Sequence, residues 1–155
     1  MNSKYVLKFK PYSIEDVKRE SKKELFTVVS TFAGGGGSST GYRLAGAKIL
    51  AINEFVKEAR ETYSANYPTT PIIPDDIKEL TGKDILEVAG ISEGELDLLD
   101  GSPPCSAFSV AGRGFTHHGG SHKAGYGKSK HYSDEQSVSN IEDLFFEFIR
   151  VAKDI

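Results

Sequence analysis

Cysteine is almost missing from this 155-residue chain: Cys105 stands alone. A single thiol excludes an internal disulfide framework and fits a reducing compartment. Long apolar runs are missing too. No stretch approaches the roughly 20 residues that a membrane-spanning helix needs, and the N-terminus lacks the basic-then-apolar layout of a secretory signal. Nor does one sign of charge dominate. A net charge of -3 gives no global attraction to nucleic acid, so any such contact needs a local basic surface. The expectation is a cytoplasmic protein with no membrane partner, and the length suits one compact domain.

What is present is an alternation of strand and helix patterns. Tyr5 to Phe9 reads as a short strand, and Ser13 caps a charged helix behind it; residues 1–24 form a short N-terminal appendage with no chemistry assigned. The main domain, residues 25–155, opens on Leu25 to Phe32, whose β-branched and aromatic density predicts a buried strand. Glycines follow, and Tyr42 to Ala47 begins a helix. Lys48 to Glu54 is a second apolar strand that ends in an acid. Phe55, Ala59, Thr62 and Tyr63 recur at helical spacing with charges opposite them. A brief third strand lies around Ile72-Ile73, a turn at Asp75 to Leu80, a short helix at Thr81 to Ala89, and a fourth strand at Leu96 to Leu99. Ile141, Leu144, Phe145, Phe148, Ile149 and Ala152 make one helical stripe, with Ser139 and Glu142 as a capping box ahead of it. Such alternation predicts βαβ units with right-handed crossovers and a parallel sheet. The glycine turn, Glu54, the Asp75-Asp76 pair and Cys105 then converge on one sheet edge, where open α/β sheets bind ligands.

The motifs at that edge carry the chemistry. Cys105 follows Pro103-Pro104 at the end of a strand, and the prolines force a stiff, sharp turn. That frame suits a nucleophile, although a lone cysteine more often serves as a small core hydrophobe. Four consecutive glycines, Gly34 to Gly37, sit between strand and helix, where the backbone can approach a nucleotide closely. A P-loop is not met, because Tyr42 stands where its lysine belongs, and a dinucleotide Gly-x-Gly-x-x-Gly fails at Ser38. A carboxylate at the tip of the next strand, Glu54, suits two ribose hydroxyls. From Gly112 to Lys130 the chain is rich in glycine, histidine, serine and lysine and reads as an exposed loop. His117, His118, His122 and His131 match no compact zinc spacing, so no metal is expected.

Together these segments resemble the DNA cytosine-5 methyltransferases. Phe32 to Ala47 is similar to their first motif, Asn53-Glu54 through Asn66 to the second, Asp76-Ile77 to the third, and Gly101-Ser-Pro-Pro-Cys-Ser-Ala-Phe-Ser109 to the fourth, which bears the nucleophile. The resemblance implies a Rossmann-like, doubly wound S-adenosylmethionine-dependent methyltransferase sheet. It implies cofactor contacts at Phe32, Ala33, Gly34, Gly35, Gly36, Gly37, Glu54, Asp76, Ile77 and Pro103. It also implies a covalent adduct between Cys105 and C6 of a flipped cytosine. DNA contacts fall to Ser106, Ser109, Arg113, Lys123 and Lys128, and the setting would be restriction-modification.

Two departures matter. Ser106 stands where the family commonly has glutamine, and the chain contains neither the Glu-Asn-Val motif nor the Arg-x-Arg motif nor a target recognition region. The expectation is therefore an incomplete sheet, with a second chain as a possible carrier of the remaining motifs. The competing expectation is a non-catalytic nucleotide-binding or assembly module with a structural cysteine.

Overall fold

The computed structural model describes residues 11–103 and 135–155. Its core is a parallel sheet of β1 (Phe26–Thr31), β2 (Ala47–Asn53), β3 (Ile72–Ile73) and β4 (Leu98–Gly101), in the order β3-β2-β1-β4. The two central strands explain their own composition. Val28 through Thr31 and most of β2 are buried, because helices cover both faces and leave no side for water.

One face carries α2 (Gly37–Leu44) and α3 (Lys57–Asn66), whose Tyr63 is fully buried with Val28, Ile49 and Ile52. The other carries α4 (Gly82–Ala89) and α5 (Glu135–Ala152), where Ile85 and Val151 join Val29, Ala51 and Ile73. α1 (Ile14–Ser21) packs against α2, buries Val17, and donates the Ser21 hydroxyl to the Ala47 carbonyl at 3.1 Å. Both α1 and α4 begin with a capping box, Ser13 with Asp16 and Thr81 with Asp84. The strand proposed at Tyr5 to Phe9 lies outside the described residues. Among the described residues no helix is long and apolar enough to cross a membrane.

The chain runs outward from β1 through β2 to β3, then returns to place β4 on the far side of β1. The order reverses between β1 and β4, and the carboxyl ends at such a switch point form the ligand crevice of open α/β sheets. Thr31 pairs with Gly101 there.

Several boundaries differ from the sequence expectation, each for a physical reason. β4 begins at Leu98, not Leu96, because Asp97 turns its carboxylate onto Thr27 N–H (2.7 Å) and hydroxyl (2.8 Å) before pairing starts. α2 begins at Gly37, not Tyr42: Gly36 takes φ +95° and its carbonyl accepts from Thr40 N–H and hydroxyl, closing a first turn of small residues. Phe55 precedes α3 and is 64% exposed, so the apolar stripe of that helix reduces to Tyr63. α5 starts at Glu135, ahead of the expected start at Ser139. Its buried line runs through Leu144, Phe148 and Val151, while Phe145 and Ile149 stay largely open.

Gly101 is set by packing. A methyl there would stand 2.6 Å from Phe148 Cδ2 and 2.8 Å from Thr31 Oγ1. Gly101→Ala is expected to cost about 1–3 kcal/mol of stability, measured by denaturant unfolding, and Phe148→Ala in the same background should restore part of it.

Among the described residues, accepted hydrogen bonds hold four carboxylates below their ordinary range. Lys23 and then Arg19 lower Glu20. The Ser13 backbone N–H, then Arg19, brings Asp16 to about 2. The Thr81 hydroxyl lowers Asp84, and Thr27 N–H lowers Asp97. A folded pKa below the unfolded one contributes stability above roughly pH 4 that is lost as pH falls through the folded value. Thermal melts should therefore hold steady down to about pH 5 and fall towards pH 2, with a shallower fall in Asp97→Asn.

Candidate functional site

The carboxyl edge is built from three strand tips. At the first, Phe32 adopts φ +52°, Gly34 φ +56° and Gly36 φ +95°, so the chain leaves β1 through a left-handed bend. Ala33 N–H donates to the Asn53 carbonyl (3.2 Å) and Gly36 N–H to the Ala33 carbonyl (3.1 Å). Gly36 is glycine for two reasons: its φ, and the rings of Tyr63 and Tyr67 that a methyl would meet at 3.1 Å. A methyl on Gly34 or Gly37 would meet open space. The bend is thus closed on its α3 side and open on the other.

Beneath it lies a polar layer. Tyr63 donates its hydroxyl to Ser39 Oγ (3.0 Å) and accepts from Arg43 Nη1 (3.3 Å). Arg43 Nη2 donates to Thr70 Oγ1 (2.6 Å), and its guanidinium lies 3.9 Å from the Tyr67 ring centre. Thr40 and Tyr67 share a hydroxyl hydrogen bond. On the β4 side, Ser30 donates to Asp100 Oδ2 (2.8 Å), and burial followed by Asp100 pushes the Tyr42 hydroxyl pKa upward.

At the second tip Glu54 is 8% exposed. Its Oε2 accepts from Gly34 N–H at 2.7 Å and its Oε1 from Val56 N–H at 2.8 Å, so one carboxylate ties the glycine bend to the tip of β2. Arg60 Nη1 donates to the carbonyls of Glu54 and Phe55, which ties α3 to the tip of β2, and the Phe55 ring is exposed. At the third tip Asp76 caps a 3-10 turn (Ile77–Glu79), accepting from Lys78 N–H at 3.1 Å. Asn53 Nδ2 donates to the carbonyls of Ile73 (3.1 Å) and Asp75 (2.9 Å) and fixes this turn against β2. Ile77 is buried in the core, with its side chain turned away from the edge.

The structure thus brings Phe32 through Gly37, Glu54 and the Asp76-Ile77 turn to the edge that Gly101, Ser102 and half-buried Pro103 also reach. Cys105, Ser106, Ser109, Arg113, Lys123 and Lys128 lie outside the described residues, as do His117, His118, His122 and His131. Sequence reasoning gave Arg43 and Arg60 no role at the site, placed Asn53 only within a motif, and read Phe55 as part of a helical stripe rather than as an outward ring. Only Phe55 had a usable signal, an aromatic directly after a strand-tip acid.

A family model for C-5 cytosine-specific DNA methylases matches residues 26–155. The chain belongs to that family. Type II methyltransferase M.AquIA from a Picosynechococcus strain is 38% identical over 86 residues, covering 56% of this chain and 35% of that protein. Type II methyltransferase M.NgoPII from Neisseria gonorrhoeae is 32% identical over 130 residues, 81% of this chain and 29% of that protein. A solved chain described as a DNA modification methyltransferase encoded within an Escherichia coli prophage superposes with TM-score 0.57 at 22% identity, over 83% of this chain and 29% of that one. The fold is therefore the parallel α/β fold of a DNA methyltransferase. The chain spans about a third or less of the length of these methylase relatives.

Glu54→Ala would strip two backbone N–H groups of their acceptor. A loss of about 1–3 kcal/mol is expected from denaturant unfolding, with Glu54→Gln losing less because one amide oxygen can still accept.

Proposed function

We propose that this chain supplies the S-adenosylmethionine-binding part and the nucleophile of a DNA cytosine-5 methyltransferase. The observation that carries the reading is the bridge from Glu54 to Gly34 at the tips of β2 and β1, beside the switch point from which Gly101 to Pro103 lead towards Cys105. The residues suit the cofactor. Each Glu54 oxygen uses one lone pair on a backbone N–H and keeps another for a ribose hydroxyl. The open side of Gly34 and Gly37 gives the backbone room to meet the amino-acid end. Exposed Phe55 offers a flat face for a base, and the Asp76-Ile77 turn stands at the same end. Phe32, Ala33, Gly35, Gly36 and Pro103 shape the remaining walls.

S-adenosylmethionine, when bound, supplies a methyl group on an electrophilic sulfonium. The chain's own contribution is Cys105. Its thiolate adds to C6 of a cytosine swung out of the duplex, and the electron pair displaced from the C5–C6 double bond makes C5 nucleophilic. After C5 gains the methyl group, loss of its proton reforms the double bond and expels the thiolate. Ser106, Ser109, Arg113, Lys123 and Lys128 contact the DNA around the target. The Glu-Asn-Val motif that assists the attack is not among these 155 residues, so methyl transfer draws on a polypeptide segment or second chain that carries it.

Calorimetry should give a heat of binding with S-adenosylhomocysteine that weakens roughly tenfold to a hundredfold in Glu54→Ala; folded protein giving none would defeat the cofactor assignment. Once the remaining motifs are supplied, DNA containing 5-fluorocytosine should form a covalent adduct that disappears in Cys105→Ser. An adduct that persists in that variant would rule the cysteine out.

A further inference from the structure

The turn that carries Asp76 is held at its two flanks, and one of the holds comes from α5. Asn53 holds the Asp75 carbonyl on one side. On the other, Arg150 reaches across from α5. Its Nη2 donates to the carbonyls of Ile77 (2.9 Å) and Leu80 (2.8 Å), while its Nε donates to Glu147 Oε2 at 2.7 Å. The Ile77 carbonyl already accepts Leu80 N–H at 3.3 Å and keeps a second lone pair, and a cation at the C-terminal end of the turn is a favourable partner for it and for the Leu80 carbonyl. The Glu147 carboxylate fixes the plane of the guanidinium, and a planar fork with several donors can serve three acceptors at once. A lysine ammonium on a flexible stem cannot hold that geometry.

We infer that Arg150 is a positioning residue for the adenosine end of the cofactor site, acting by locking the turn that presents Asp76. This rests on the cofactor reading above. Asp76 is itself woven into the turn: its carboxylate accepts from Lys78 N–H and its carbonyl from Glu79 N–H at 2.9 Å. Fixing the two carbonyls downstream therefore fixes where the remaining carboxylate lone pairs point. A carboxylate held there accepts from the exocyclic amine of adenine and meets only another acceptor in the oxo group of hypoxanthine. Arg150 thus supports discrimination between the two bases without touching either.

The test compares the 155-residue chain with Arg150→Gln, Arg150→Lys and the milder Glu147→Gln. Hydrogen exchange is read at the Lys78 to Leu80 amides, and affinity is read for S-adenosylhomocysteine against S-inosylhomocysteine. In Arg150→Gln, exchange in the turn should quicken about tenfold or more while β1 and β2 stay protected. The adenine preference should fall towards parity, with Arg150→Lys and Glu147→Gln between it and the wild type. Equal weakening of both ligands with the preference intact would reduce Arg150 to a merely structural role and overturn the inference. Unchanged exchange and unchanged preference would overturn it as well. If the wild type binds neither analogue, the cofactor reading fails instead, and the exchange result alone decides whether Arg150 holds the turn.

Discussion

A single carboxylate holds this edge together. Glu54 accepts one N–H from the glycine bend after β1 and another from the segment after β2, at 2.7 and 2.8 Å. Neighbouring parallel strands fix each other only as far as their ladder extends. Beyond the last pair, Thr31 with Asn53, the loops need separate fastening. A buried carboxylate between two backbone donors provides it, because neither N–H could go unpaired without loss. Arg60 and Asn53 extend the same logic to the flanking carbonyls. Fixed backbone at three strand tips is what a small ligand requires, since each contact must be in place before the ligand arrives.

Much of this was legible in the chain. Unbroken apolar strands separated by helical patterns gave the parallel sheet, because strands covered on both faces have no reason to alternate. Glu54, the glycine bend and the Asp76 turn were readable from their position after strands. What escaped was whatever depends on distant partners. The buried face of α5 runs through Leu144, Phe148 and Val151 and was shifted from its apparent stripe, since several neighbouring positions on that helix are apolar and only packing on Gly82 and Gly101 decides between them. Arg43 and Arg150 look like surface cations in the sequence. One is enclosed by hydroxyls and an aromatic ring, the other spent on backbone carbonyls. The local periodicity of either helix carries no trace of those partners.

The two helical layers divide the labour. α2 and α3 support the glycine bend through tyrosines and the buried arginine, whereas α4 and α5 support the Asp76 turn and the root of the Pro-Pro-Cys segment. α5 therefore touches both ends of the carboxyl edge, through Arg150 at one and Phe148 at the other.

Phe32 carries a consequence of its own. It is an aromatic residue in the left-handed region, at φ +52°, with its ring packed among the Val29 and Ile77 cluster. That backbone geometry is disfavoured by about 1–2 kcal/mol for a residue with a Cβ, so the ring's burial must offset a cost that glycine would escape. The fold keeps a small tension at this strand tip, with an apolar anchor on one side and the glycine bend that Glu54 ties down on the other. Loosening the anchor would let the bend relax outwards, and the protein would gain backbone ease there only by surrendering the shape of its opening.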